Sequence, residues 1–171
     1  MKRTVSGPLT RGPRAKRAGG FTLIELVITV AIVAVLASAV MPLNELALQR
    51  SREQDLRRSL REIRAAIDAY KQASDEGRIV KRVGESGFPK KLEDLVQGVE
   101  DQKSPKRDKM YFLRRVPRDP FAADPNAAPA DTWGKRAYQS PPDDPREGED
   151  VFDVFTLAQG KGINGRPYKE W

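Results

Sequence analysis

The chain has 171 residues, of which 32% are charged and 39% hydrophobic, and its formal net charge is +7. It contains no histidine and no cysteine, so it lacks the commonest general base and metal ligand and has no disulfides or thiolate chemistry. These absences argue against a hydrolase triad or a transition-metal centre, and the length allows one small domain.

Most of the net positive charge lies in residues 1–20, which contain no acid. Their basic residues are Lys2, Arg3, Arg11, Arg14, Lys16 and Arg17. In the rest of the chain, basic and acidic residues nearly balance. Isolated basic residues in such a body are usually solvated surface, so we expect no nucleic-acid partner.

The chain's only long apolar run extends from Phe21 to Leu43 and contains one charged residue, Glu25. As a helix it would be about 34 Å long at 1.5 Å per residue, enough to cross a hydrocarbon core of about 30 Å. The basic leader before it predicts a cytoplasmic N-terminus and a C-terminal body outside. A carboxylate near the centre of such a segment costs roughly 2.5–3.5 kcal/mol, which indicates that Glu25 has a function.

Two interpretations of this run treat it as an ordinary targeting or anchoring segment. A secretory signal peptide would be cleaved after Ala37-Ser38-Ala39, so that the mature chain begins at Val40, whereas a plain anchor would keep Met1. The signal peptide is disfavoured by Glu25 and by the length of the apolar stretch, since that of a signal peptide usually has about 7–15 residues.

The third interpretation rests on Gly20-Phe21-Thr22-Leu23-Ile24-Glu25 behind a basic leader. This motif resembles the type III signal of type IV pilins and of type II secretion pseudopilins. The resemblance implies that a prepilin peptidase and methyltransferase cleaves between Gly20 and Phe21 and N-methylates Phe21, so the chain would be their substrate and not an enzyme. It also implies that Glu25 meets the Phe21 amine of a neighbouring subunit in a filament, although Glu25 could instead simply lie near the headgroups. Pro42 matches the proline that is common at this place in pilin helices, where it would kink or loosen the helix.

Helical character is expected to continue beyond the apolar run. Leu56, Leu60, Ile63, Ile67 and Tyr70 recur at spacings of four and three, which predicts one apolar helical face. On the remaining surface we expect ion pairs between residues four apart, namely Glu53 with Arg57, Arg58 with Glu62, and Arg64 with Asp68.

The predicted fold class is α+β: a long N-terminal helix, transmembrane in its first half, packs on a small antiparallel sheet as in pilins. We expect a cleaved leader at 1–20, a transmembrane and filament-core helix at 21–43, the periplasmic half of the helix at 44–74 and a globular periplasmic domain at 75–171. That domain is predicted to hold a short helix after Pro89, a polar connector at 105–109, and strands at Lys135–Ser140 and Val151–Leu157. Segments 87–121 and 133–157 loosely resemble the major pseudopilin of type II secretion.

No cofactor or metal is expected. Major pseudopilins typically bind one calcium ion in the loop after their last long strand, through aspartates and backbone carbonyls. Leu157 matches the start of that loop, but residues 160–166 contain no carboxylate and include Lys161 and Arg166. Because calcium takes about six to eight oxygen ligands, usually with several carboxylates, we expect Tyr168 and Trp171 to hold the tail by burying apolar surface against the sheet.

The resemblance implies a pseudopilin of a type II secretion system, an inner-membrane protein whose C-terminal domain is periplasmic and which stacks into a pseudopilus that drives protein export. Its partners would be copies of itself, the peptidase–methyltransferase, minor pseudopilins and the inner-membrane secretion platform. Two alternatives stay open: a type IV pilus pilin used for adhesion, motility or DNA uptake, and a membrane-anchored periplasmic binding module. The lack of a cysteine pair argues mildly against a pilin, since many pilins have a C-terminal disulfide loop.

Overall fold

The computed structural model of the chain describes residues 20–171, apart from the side chains of residues 39–43. The chain divides into two compact units, Met1–Leu43 and Asn44–Trp171. The predicted leader therefore lies outside the described residues except for Gly20. The side chain of Pro42 lies outside them too, so the predicted loosening of the helix at that residue stays a prediction.

Helix α1 spans Leu23–Asp75. In the second unit its predicted apolar face is confirmed, because Leu56, Leu60, Ile63 and Ile67 are buried. These side chains form the core of the unit together with residues from later elements, among them Leu92, Leu95, Leu113, Trp133, Val151 and Val154.

The C-terminus of α1 falls where the sequence predicts it, near Gly77. The Gly77 N–H donates to the Ser74 carbonyl (3.0 Å) and the Arg78 N–H to the Ala73 carbonyl (2.9 Å). These two bonds, with a φ of 71° at Gly77, form a Schellman motif, which satisfies helix carbonyls that would otherwise lack a donor.

The predicted ion pairs along α1 are wrong for the described residues. Arg58 lies 3.5 Å from Asp55, and Arg64 lies 2.8 Å from Asp153 on a later strand. Glu53 is buried. Local pairs on a helix surface contribute only a few tenths of a kcal/mol, so contacts with the rest of the unit decide where Glu53 and Arg64 lie, whereas Arg58 keeps a local partner.

Two small antiparallel sheets follow α1, where the sequence predicted one, and the combination is consistent with an α+β protein. The first sheet pairs β1 (Val99–Glu100) with β2 (Lys109–Met110). β2 begins in the predicted polar connector. The sequence did not predict this strand, because two residues are too few to show the alternation of apolar and polar residues that is typical of a strand. The short helix α2 spans Asp94–Gln97 and so begins later than Pro89 predicted; the Asp94 carboxylate accepts the Lys91 N–H at 3.1 Å.

The second sheet pairs β3 (Trp133–Arg136) with β4 (Asp153–Thr156). β4 lies within the predicted strand, but β3 begins and ends earlier than predicted. Trp133 fixes the start of β3, because its ring is 1% exposed and its indole N–H donates to the Pro117 carbonyl at 2.8 Å. The strand ends where the chain turns, with the Ser140 N–H donating to the Ala137 carbonyl at 3.0 Å.

Candidate functional site

Gly20 and Phe21, the predicted processing residues, lie just before α1 and are exposed. A Cβ atom added at Gly20 would meet no atom within 4 Å. Nothing among the described residues therefore requires a glycine at position 20. A requirement for glycine there would have to come from a protein that acts on this segment.

Thr22 begins the helix, a role that our reading of the sequence missed. Its hydroxyl accepts the Glu25 N–H at 3.3 Å, and its carbonyl accepts the Leu26 N–H at 3.1 Å. The signal was present, because Thr followed three residues later by Glu is the pattern of a capping box. Thr22 therefore fixes the start of α1 immediately after the predicted cleavage position.

Glu25 lies exposed in the first turn of α1, where the helix dipole favours a carboxylate. No ion pair of the described residues includes it. Its pairing with the Phe21 amine of a neighbouring subunit stays a prediction.

The apolar side chains at the start of α1 are exposed. Between Phe21 and Leu36 the large ones are 51–81% exposed, namely Phe21, Leu23, Ile24, Leu26, Val27, Ile28, Val30, Ile32, Val33, Val35 and Leu36. A continuous apolar surface of this kind marks a site of interaction with another protein or with a membrane.

Over the residues that the structure describes, no helix is both long and apolar enough to cross a membrane. The predicted span at 21–43 is therefore not confirmed.

In the second unit a buried aspartate links three segments of the chain. Asp119, in the segment Asp119-Pro120-Phe121, is buried, and its carboxylate accepts the Phe121 N–H at 2.8 Å and the Thr156 hydroxyl. Its own N–H donates to the Thr132 hydroxyl at 3.1 Å. Asp119 thus ties its loop to β4 and to the 3₁₀ turn before β3, which is a structural role that the sequence motif did not reveal.

A groove of about 1240 Å³ lies between the loop at 79–90 and the loop at 137–150. The rings of Phe88 and Tyr138 form part of its wall and lie 5.6 Å apart, measured between their centroids. Both acidic and basic side chains line it. The Asp150 carboxylate accepts hydrogen bonds from the Ser86 hydroxyl and the Tyr138 N–H.

The hydrogen bonds of the loop at 160–166 bear on the expectation that it binds no calcium, which stays a prediction. The Gly162 N–H donates to the Arg166 carbonyl and the Gly165 N–H to the Gly162 carbonyl, each at 2.8 Å, so the loop is closed by its own backbone. The Asn164 side chain accepts the Arg166 N–H at 3.1 Å. Among the described residues, no three acidic, histidine or cysteine side chains are placed to share a metal ion, and the loop supplies two cations where calcium would need anions.

Comparison with known proteins addresses the N-terminal segment alone. Residues 15–41 match the family model described as the prokaryotic N-terminal methylation motif. The match supports a type IV pilin-like protein. This motif implies processing by a prepilin peptidase, N-methylation, a membrane-anchored chain and filament assembly in general, and it does not separate pilins from pseudopilins.

Neither a curated protein nor a solved structure matches the chain.

Proposed function

We propose that this pilin-like chain is a pseudopilin of a type II secretion system, which assembles into a periplasmic pseudopilus and acts mechanically rather than as an enzyme. The observation that carries the proposal is the methylation motif at 15–41. The choice of a pseudopilin over a pilin is supported by the loose resemblance of 87–121 and 133–157 to major pseudopilins and by the absence of cysteine.

The processing step is proposed at the bond between Gly20 and Phe21. Both residues are exposed and precede the N-cap Thr22, so a peptidase can approach them without unfolding α1. Because no described residue lies where it would contact a Cβ at position 20, we assign the requirement for glycine to the peptidase, which would accept only a small residue there.

The proposed anchor is the apolar run 21–43, supported by its composition, in which Glu25 is the only charge. The exposed apolar side chains would face lipid before assembly and the helices of other subunits afterwards. In such a filament the Glu25 carboxylate would pair with the Phe21 amine of a neighbour, and the pairing offsets part of the cost of burying each charge.

Mass spectrometry of the mature protein tests the processing proposal. The mature protein isolated from membranes should begin with N-methylated Phe21. A protein that keeps Met1 would indicate a plain anchor, and one that begins at Val40 would indicate an ordinary signal peptide.

Substitution of Gly20 by leucine should block maturation, whereas Gly20→Ala should be processed at best in part, because the scissile site is proposed to be narrow. Gly12→Leu, also in the leader, is the matched control and should mature normally. Normal maturation of Gly20→Leu would refute the signal assignment.

Deletion of the gene separates the pseudopilin from its alternatives. Loss of protein secretion with intact surface pili supports the pseudopilin, whereas loss of twitching or of DNA uptake with intact secretion indicates a pilin. A filament that persists while recognition of one partner is lost would indicate a binding module.

A further inference from the structure

Glu53 occupies an unusual position for a carboxylate on a helix. It is only 7% exposed, and no lysine or arginine among the described residues forms an ion pair with it. A buried charge is costly unless polar groups satisfy it. The groups that do so come mostly from the C-terminal segment, residues 160–171.

One oxygen of Glu53, Oε1, accepts three hydrogen bonds. The donors are the Ile163 N–H at 2.9 Å, the Tyr168 hydroxyl at 3.0 Å and the Gln49 side-chain amide at 3.1 Å. The Gln49 amide also lies 3.0 Å from the Tyr168 hydroxyl oxygen, so that hydroxyl accepts from Gln49 while it donates to Glu53. Hydrogen bonds to an ionised acceptor are roughly twice as strong as neutral ones.

Two arginines on the same helix hold the end of the C-terminal segment. The Arg57 guanidinium lies 4.2 Å from the centroid of the Trp171 ring, and Arg64 donates to the Trp171 main-chain oxygen at 2.9 Å. The Trp171 ring in turn lies on Gly162, where an added Cβ would be 2.3 Å from a ring carbon. The segment is thus folded back on itself and attached to α1 at both its turn and its end.

We infer that the Glu53 carboxylate is the anchoring group of the C-terminal segment, and that it holds the loop at 160–166 in place without a metal ion. The loop brings Lys161 and Arg166 and no carboxylate, while the helix brings the negative charge to it. The negative charge at the loop therefore comes from the Glu53 carboxylate, and the one backbone N–H that donates to it is that of Ile163. This inference concerns the second unit and does not depend on the proposed function.

Hydrogen exchange of the full chain in detergent micelles tests the inference through the Ile163 amide. Glu53→Ala should speed exchange of that amide at least tenfold, and Glu53→Gln, which keeps a neutral acceptor, should have a smaller effect in the same direction. Glu62→Ala is the matched control, since Glu62 lies exposed on the same helix, and it should leave the exchange rate unchanged. Unchanged protection of Ile163 in both Glu53 variants would overturn the inference.

A second arm uses the wild-type chain and so does not depend on whether a variant folds. Millimolar calcium added after chelation should change neither the exchange of residues 160–166 nor the melting temperature read from tryptophan fluorescence. A rise of several degrees, with new protection of the loop, would show that a metal holds the segment and would refute the role given to Glu53.

Discussion

At the scale of single residues, two glutamates of α1, Glu25 and Glu53, lie in opposite surroundings. Glu25 is exposed at the start of α1 with no partner ion among the described residues, whereas Glu53 is buried and accepts three hydrogen bonds at its Oε1 atom. An exposed carboxylate within an apolar surface would be unfavourable in lipid, so Glu25 needs a partner from outside its own chain if the proposed anchoring is correct.

Substitutions of Glu25 test whether it has such a partner. Glu25→Val should keep the chain in the membrane, because it removes a charge that is costly there, yet it should abolish filaments, because the Phe21 amine of the neighbour loses its partner. Glu25→Asp should be intermediate. Electron microscopy of filaments from cells that overexpress each variant measures the effect, and Glu62→Val serves as control. Filaments of Glu25→Val at wild-type abundance would show that the pairing is wrong.

At the scale of the elements, the β3–β4 pair depends on a glycine. Gly134 lies opposite Phe155, and a Cβ at this position would come within 2.4 Å of the Phe155 ring. Elsewhere glycine weakens a strand, since alanine is more favourable by roughly 0.5–1 kcal/mol. Here the steric cost of overpacking, about 1–3 kcal/mol, should be the larger effect.

We therefore predict that Gly134→Ala lowers the free energy of unfolding by up to about 2.5 kcal/mol, which is the cost of overpacking less the gain from alanine. Urea unfolding of the full chain measures it, because both tryptophans, Trp133 and Trp171, lie in the second unit and their fluorescence follows that unit. The cost should shrink when Phe155 is also changed to leucine. An equal cost in the two backgrounds would mean that the ring does not determine the effect.

The ends of α1 show how local and distant contacts share one element. Thr22 caps the start through bonds within four residues. After the end, Arg78 donates to the Asp101 carboxylate at 2.6 and 3.0 Å, which ties α1 to the β1–β2 hairpin. The hydrogen bonds from Arg78 hold the pKa of Asp101 below its ordinary value, so this link stabilises the fold at neutral pH and weakens as acid protonates the carboxylate.

At the scale of the whole molecule, two tyrosines link stability to high pH. Burial raises the pKa of Tyr168, and the nearby Glu53 carboxylate raises it further. Burial likewise raises the pKa of Tyr70, with added effects of Asp94 and Glu85. Because the folded pKa values lie above the ordinary value of about 10, the folded chain holds these protons more tightly than the unfolded chain, and the resulting stability is lost as the pH rises through and above that value.

The urea midpoint of the second unit should accordingly fall as the pH is raised above about 10. Tyr168→Phe should make this fall shallower, since it removes one of the linked protons, although it should also lower the midpoint at neutral pH by removing the hydroxyl from Glu53. Tyr111→Phe is the control, because Tyr111 is 65% exposed. An unchanged pH dependence in Tyr168→Phe would contradict the assignment.

The elements that neighbouring residues specify could be predicted from the sequence. The apolar face of α1 at Leu56, Leu60, Ile63 and Ile67 was predictable because helical periodicity is read over neighbouring residues, and so was the end of α1 near Gly77. The methylation motif was equally local, since a short run of adjacent residues carries it. Thr22 could have been found in the same way from its capping pattern.

The contacts between residues far apart in the chain became known from the tertiary structure. The short hairpin of β1 and β2, the early start of β3 and the partners of Glu53 and Arg64 depend on segments far apart in the chain, and no spacing in the sequence encodes them. Glu53 shows the reason most clearly: its i,i+4 neighbour Arg57 offered a few tenths of a kcal/mol, but burial against the C-terminal segment offered two hydrogen bonds, from the Ile163 N–H and the Tyr168 hydroxyl, to a charged acceptor, which are stronger. Long-range packing thus overrode the local pattern.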